Sequence, residues 1–278
     1  MHELIVPIDF SEASKNAARY AAWMSKGIPA AQLTLYNVFG TLELGSDGSP
    51  IQSDDGARKT IMELALQSVA NDISGISDAR ISCVAEEDDD FPGSLAKYVL
   101  HFHPELIIMG ITGATRLAKI FMGSNTLKIV RRNIAPTVIV PPDAVFRPVQ
   151  NVLFISDFKN VDETIPFQPI RNFLGLFHPV LHIVNVDSEH YVELTEEFKE
   201  QRARLHRQME DFEPEYYFIR MFDFMDAINQ FVEDKKIDII VTVPKNQSFF
   251  ANLFKTTHTS RLAYHSHVPI ATFQALRP

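Results

Sequence analysis

Residues 109–126 read MGITGATRLAKIFMGSNT, and the order of features in this stretch decides the fold. Just before the first glycine, Glu105-Leu106-Ile107-Ile108-Met109 is a short apolar run of the kind found in strands buried on both faces. After the last glycine, Ser124 is placed to cap a helix carrying Leu127, Ile129 and Val130. Strand, glycine-bearing loop and helix in that order suit an anion. The first amides of a helix have no internal partners and carry the positive end of its dipole, so phosphate can sit there without a dedicated lysine. Gly110, Gly113 and Gly123 would allow positive φ and close approach of backbone to a ligand.

The same alternation extends to both sides of the loop. Upstream, Leu4-Ile5-Val6-Pro7-Ile8-Asp9 is a strand ending in a carboxylate, and Ser11 caps a helix with Ala13, Ala17, Ala18, Ala21 and Trp23 on it. A second strand spans Gln32 to Val38, followed by a polar segment from Gly40 to Gly56 and a helix from Lys59 to Ser74. Arg80 to Ala85 is a third strand, Ser94 to His101 a helix, and Leu106 to Met109 the fourth strand. Pro136 to Val140 is a fifth strand, stopped by Pro141 and Pro142. Five strands alternating with helices predict a doubly wound α/β domain with a parallel sheet covered on both faces.

The pattern then starts again. After a linker from Pro141 to Val149, Asn151-Val152-Leu153-Phe154-Ile155-Ser156-Asp157 repeats the opening strand and its aspartate, at an offset of 148 residues. That offset also carries Leu33–Val38 onto Leu181–Val186, asparagine included; later an offset of 133 relates Ile107 to Ile240, Ser124 to Thr257 and Pro136 to Pro269. A tandem duplication is the economical reading, with domains at 1–142 and 150–276. In the second copy Val243, Asn246 and Thr256 replace the three glycines, and Phe249, Phe250 and Phe254 crowd the loop. One intact and one degenerate glycine loop are expected.

Composition narrows the function. Of the 278 residues, 46% are hydrophobic and 22% charged, which is globular composition. The formal net charge is -9 and neither half is basic, so nucleic acid and anionic membrane are unfavourable partners. Cys83 stands alone, excluding an intramolecular disulfide and a cysteine-based zinc site. With no signal-like N-terminus and no apolar run of membrane-spanning length, a cytoplasmic protein is expected.

In a doubly wound sheet, ligands bind beyond the carboxyl ends of the strands. Asp9 and Gly110 both lie at such ends, where a carboxylate suits ribose hydroxyls, and Arg116 and Lys119 lie within the loop. The plain alternatives are a helix-cap role for Asp9 and a simple turn for the glycines. Neither GxxxxGK[ST], GxGxxG after a strand, nor GxSxG occurs. Glu86-Glu87-Asp88-Asp89-Asp90 reads as a solvated acidic loop, and the His101/His103 and His265/His267 pairs have the wrong spacing to share a helix face. No metal site and no catalytic residue are assigned. Tyr216, Tyr217, Phe218, Phe222, Phe224 and Phe231 read as core.

Gly110-x2-Gly113-x9-Gly123-Ser124 resembles the nucleotide loop of the universal stress protein family. Leu4–Ser11 resembles that family's opening strand, and Pro136–Val140 its closing strand. The resemblance implies a Rossmann-like, adenine nucleotide alpha hydrolase-like sheet ordered 3-2-1-4-5 in each domain. It implies ATP, with or without magnesium, in the first domain. Carried onto matching positions, it puts Pro7, Ile8 and Asp9 along the nucleoside, with Asp9 at the ribose and the Val38 backbone at adenine. Met109, Gly110 and Gly113 would follow the nucleotide, and Gly123, Ser124, Asn125 and Thr126 would hold phosphates. It further implies pairing of the two domains through their fifth strands, with a homodimer left open. Three functions stay in play: an ATP-binding stress-response module with at most weak hydrolysis, a slow ATPase or autophosphorylating phosphotransferase using Ser124 or Thr126, and a nucleotide-independent scaffold.

Overall fold

The computed structural model describes residues 2–40, 55–111, 124–132, 134–187, 195–220, 224–243 and 268–274. The first half runs β1 (His2–Pro7), α1 (Glu12–Ser25), β2 (Ala31–Phe39), α2 (Asp55–Ile73), β3 (Arg80–Glu87), α3 (Phe91–Phe102), β4 (Leu106–Gly110), α4 (Ser124–Arg132) and β5 (Thr137–Val140). The second runs β6 (Asn151–Ile155), α5 (Val161–Thr164), α6 (Phe167–Gly175), β7 (Val180–Asp187), α7 (Glu196–Met209), a 3-10 turn (Glu210–Phe212), β8 (Glu215–Arg220), α8 (Phe224–Lys235), β9 (Ile239–Thr242) and β10 (Ile270–Thr272).

All ten strands join one sheet in the order β3-β2-β1-β4-β5-β10-β9-β6-β7-β8. The order expected for each copy, 3-2-1-4-5, is present on either side of the centre. Pairing is parallel throughout except at the centre, where β5 and β10 run antiparallel with Ile139 opposite Ile270 and Thr137 opposite Thr272. The Thr272 hydroxyl donates to the Thr137 carbonyl across that seam at 3.2 Å.

The repeat extends to single hydrogen bonds. Ile8 N donates to Tyr36 O at 2.8 Å, and 148 residues on, Ser156 N donates to Val184 O at 3.0 Å. Ile107 N to Pro136 O and Ile240 N to Pro269 O match at an offset of 133. Positive φ recurs in the same way, at Phe10 and Phe158, Ala30 and His178, and His103 and Lys236.

Strand alternation builds two faces of different character. On one, Leu4, Val6, Leu33, Leu35, Ile108, Val138, Val152, Phe154, Leu181, Ile183 and Phe273 form one core that runs unbroken through both halves, capped by α1 and α2 on the left and α6 and α7 on the right. On the other, two separate cores lie side by side: Ile5, Tyr36, Leu95, Val99, Ile107, Met109 and Ile129 under α3 and α4, and Leu153, Val184, Ile228, Phe231 and Ile240 under α8. The segment 141–150 between the halves is held down. Asn16 Nδ2 donates to the Pro141 and Ala144 carbonyls at 3.2 and 3.1 Å, and Phe146 stacks edge-on to Tyr20 with centroids 5.2 Å apart.

Several boundaries differ from the sequence reading. Helix α2 begins at Asp55, four residues before Lys59, because the Arg58 side chain secures its first turn by donating to the Gly40 carbonyl and to Glu87. Glu86 and Glu87 belong to β3 instead of an acidic loop, since β2 runs alongside as far as Phe39. Among the predicted core aromatics, Phe231 is buried, Tyr216, Tyr217 and Phe224 pack against the cores, and Phe218 is 40% exposed on the edge strand β8; Phe222 lies outside the described residues. The second half has no unbroken counterpart of α1. Pro166 divides that region into α5 and α6, as expected for a residue lacking an N–H.

Candidate functional site

Strand β1 lies between β2 and β4 and is shorter than β2 at its carboxyl end, which opens a crevice. It leaves the sheet at Pro7; Ile8 makes the last bond to β2, and the chain turns away through Asp9 and Phe10, the latter at φ 63. The turn is built from local polar groups. Asp9 Oδ1 accepts from the Ser11 amide at 3.0 Å and from its hydroxyl at 2.5 Å, while Ser11 Oγ caps α1 by accepting from Ser14 N. Burial acts to raise the Asp9 pKa, but hydrogen bonding from Ser11 and Ser14 outweighs it and holds the carboxyl below its ordinary value. Asp9 is an exposed anion with one oxygen committed to its own turn.

Strand β2 continues past this exit. In a parallel ladder a residue's N–H and C=O point to the same neighbouring strand, and successive residues alternate. Tyr36 bonds toward β1 through Ile8, and Phe39 bonds toward β3 by accepting from Asp88 N at 3.1 Å. Val38 therefore turns its N–H and C=O toward the space β1 has vacated, and among the described residues no backbone group meets them there. Beneath it, Asn37 donates its side-chain amide to the Ile8 carbonyl at 2.7 Å and fixes the strand end. Alternation also sets Val38 and Met109 on the α3 and α4 face, with Tyr36, Val84 and Ile107.

Gly110 corrects the sequence reading. It does not occupy positive φ. A Cβ there would lie 2.2 Å from the Ala13 carbonyl oxygen and 3.0 Å from Ser14 N, so glycine is needed because the first turn of α1 rests on it. Ser124 is the first residue of α4 instead of a cap outside it, and so adds an amide to the helix N-terminus. Asn125 is exposed and Thr126 buried. Gly113, Gly123, Arg116 and Lys119 lie outside the described residues, as do Asn246, Phe249, Phe250, Phe254, Thr256 and Thr257. Pro7, Ile8, Asp9, Val38, Met109 and Gly110 thus lie at the carboxyl ends of the adjacent strands β2, β1 and β4, and Ser124, Asn125 and Thr126 open α4.

The rim was not foreseen. Tyr36 donates its hydroxyl to Glu86 Oε2 at 2.5 Å, Ser94 donates to Asp88 Oδ2 at 2.6 Å, and Arg132 in the last turn of α4 reaches Asp90 at 3.6 Å. In the sequence, Tyr36 passes as an ordinary strand aromatic. Only the β2–β3 register, which the sequence does not encode locally, brings it to Glu86. Among the described residues no group of His, Cys, Asp and Glu is placed to hold a metal ion, and no helix is long and apolar enough to cross a membrane.

Comparison with known proteins adds three findings. A family model described as the universal stress protein family matches residues 1–141. No curated protein matches the chain closely enough to count. Among solved structures, a universal stress protein from Archaeoglobus fulgidus DSM 4304 superposes with a TM-score of 0.71 at 17% identity, covering 98% of both chains. A putative universal stress protein from Pseudomonas aeruginosa UCBPP-PA14 superposes with a TM-score of 0.60 at 13% identity, covering 99% of this chain and 94% of that one. These likenesses show that the whole two-part fold has precedent.

Proposed function

The chain belongs to the universal stress protein family, and from that premise we propose that its first half is an ATP-binding module whose occupancy regulates a conformation or partnership. The observation that carries this reading is the open backbone edge of Val38 beside the β1 exit. A purine's Watson–Crick edge needs one donor and one acceptor in line, which Val38 N–H and C=O supply. Pro7, Ile8 and Met109 give the nucleoside apolar contact, and the second carboxylate oxygen of Asp9 accepts from the ribose hydroxyls. The phosphates then lie over the N-terminus of α4, where Gly123, Ser124, Asn125 and Thr126 contribute backbone amides and the helix dipole favours negative charge, with Gly110 and Gly113 along the path.

We read the chain as two domains, 1–142 and 150–276, joined at the β5–β10 seam, with the second retained for structure or partners. Val243 stands where the first half has Gly110. The burial of Thr126 argues against its hydroxyl as a phosphoacceptor. A cytoplasmic location fits the lone Cys83.

Calorimetric titration of ATP into the full chain, with mass spectrometry of small molecules released on denaturation, tests the reading. Saturable binding at one site per chain is expected, weakened at least tenfold by Asp9→Ala, a loss of about 1.4 kcal/mol. No binding at millimolar ATP would leave a nucleotide-independent scaffold, and turnover faster than about one per second would make the protein an enzyme.

A further inference from the structure

Resting on the adenine-nucleotide reading, we propose that Glu86 selects the base by accepting a hydrogen bond from the purine 6-amino group. Glu86 is the register partner of Val38 in the parallel β2–β3 pair. Register partners in neighbouring strands point to the same face, so the Glu86 side chain rises beside that of Val38, and its bond to Tyr36 of β2 draws the carboxylate over that strand toward the edge assigned to the base. Its carboxylate is anchored there. Tyr36, two residues before Val38 and on the same face, donates its hydroxyl to Glu86 Oε2 at 2.5 Å, and the Tyr36 ring is buried against Leu95, Val99 and Tyr98. Oε1 meets no donor among the described residues, and Glu86 is only partly buried. A fixed carboxylate with one free oxygen is an acceptor. It attracts an amino group at the 6-position and repels a carbonyl, which separates adenine from guanine and hypoxanthine.

The two halves supply an internal control. Asn37 and its clamp on Ile8 recur as Asn185 on Ser156, where Nδ2 donates at 3.0 Å, so that feature serves the fold. The tyrosine–glutamate pair does not recur. Val184 stands at the Tyr36 position, and the register partner of Val186 is Ile219. The carboxylate is therefore present only in the half that is read as the nucleotide domain, and strand pairing alone does not require it.

The test compares the affinities of the full chain for ATP and for purine riboside 5′-triphosphate, which lacks only the 6-amino group, in wild type, Glu86→Ala and Tyr36→Phe. Wild type should prefer ATP by about tenfold or more, the range of a hydrogen bond to a charged acceptor. Glu86→Ala should lower the preference severalfold, to what the Val38 carbonyl alone confers, while leaving affinity for the deaminated analogue within about twofold. Tyr36→Phe, which keeps the carboxylate but frees it, should give an intermediate ratio and serves as the readout should Glu86→Ala not fold. An unchanged preference in both variants, with ATP still bound, overturns the role of Glu86 and leaves the nucleotide reading standing. Failure of wild type to bind either compound overturns both.

Discussion

Asn37 and Ile8 close the carboxyl end of β1, the Asn37 side-chain amide donating to the Ile8 carbonyl at 2.7 Å in a position that is 6% exposed. This bond ends one strand and holds the next in place, so that the Asp9 turn always begins at the same point. Truncating Asn37 leaves a carbonyl without its partner in a site that water reaches poorly. Asn37→Ala should lower stability by about 1–3 kcal/mol in denaturant unfolding. Asn185→Ala should do the same, since Asn185 holds Ser156 alike. ATP affinity should fall only in the first variant.

Gly110 and Ala13 are in contact so close that no side chain fits between them. Gly110→Ala should displace the first turn of α1 and cost about 1–3 kcal/mol, the range for overpacking a filled site. The reverse change at the matching position, Val243→Gly, should cost stability through lost packing against the main core. Thermal unfolding of both variants checks this.

Asp88 anchors the start of α3. The Ser94 hydroxyl and the Asp90 amide donate to it, with Lys97 nearby, and its pKa is held at about 2. A carboxyl depressed from 3.8 stabilises the fold fully above that value and loses its contribution as pH falls toward 2. Asp88→Asn should therefore lower stability at neutral pH and flatten the acid limb of the stability profile across that window.

His182 behaves in the opposite charge sense. It is buried in β7, with Nδ1 3.2 Å from Glu215, Nε2 3.2 Å from Asn151, Lys235 acting on it, and the Tyr217 and Phe231 rings alongside. Burial, the largest influence, lowers its pKa against the attraction of Glu215. The unfolded chain takes up the proton first, near 6.5, so stability is complete above that value and declines as pH drops below it. His182→Gln should show a shallower loss as pH falls below 6.5 in urea titrations.

The matched apolar runs made the strands, their parallel alternation and the repeat legible, because buried parallel strands leave continuous hydrophobic segments that survive divergence, while the sheet order came through the resemblance carried by the glycine loop. Asp9 and Gly110 could be placed at strand ends for the same reason, whereas Val38 and Met109 entered only through the family resemblance. The reason for Gly110 was not legible. Its need for a bare α-carbon comes from a helix that lies nearly a hundred residues earlier in the chain, and sequence offers no sign of which surfaces will touch. Tyr36 and Glu86 were missed because their meeting depends on inter-strand register. The break between α5 and α6 was not read, although Pro166, which lacks an N–H, marks it in the sequence.

The antiparallel meeting of β5 and β10 reverses the direction of every strand in one half relative to the other. The mouth at Asp9 and its counterpart at Asp157 therefore open at opposite ends of the molecule. A partner gripping the second mouth leaves the first unobstructed, and a bulky assembly can form at one end while small molecules exchange at the other. What one end feels of the other passes through the β5–β10 seam, the core shared by both halves and the 141–150 segment held against Asn16 and Tyr20.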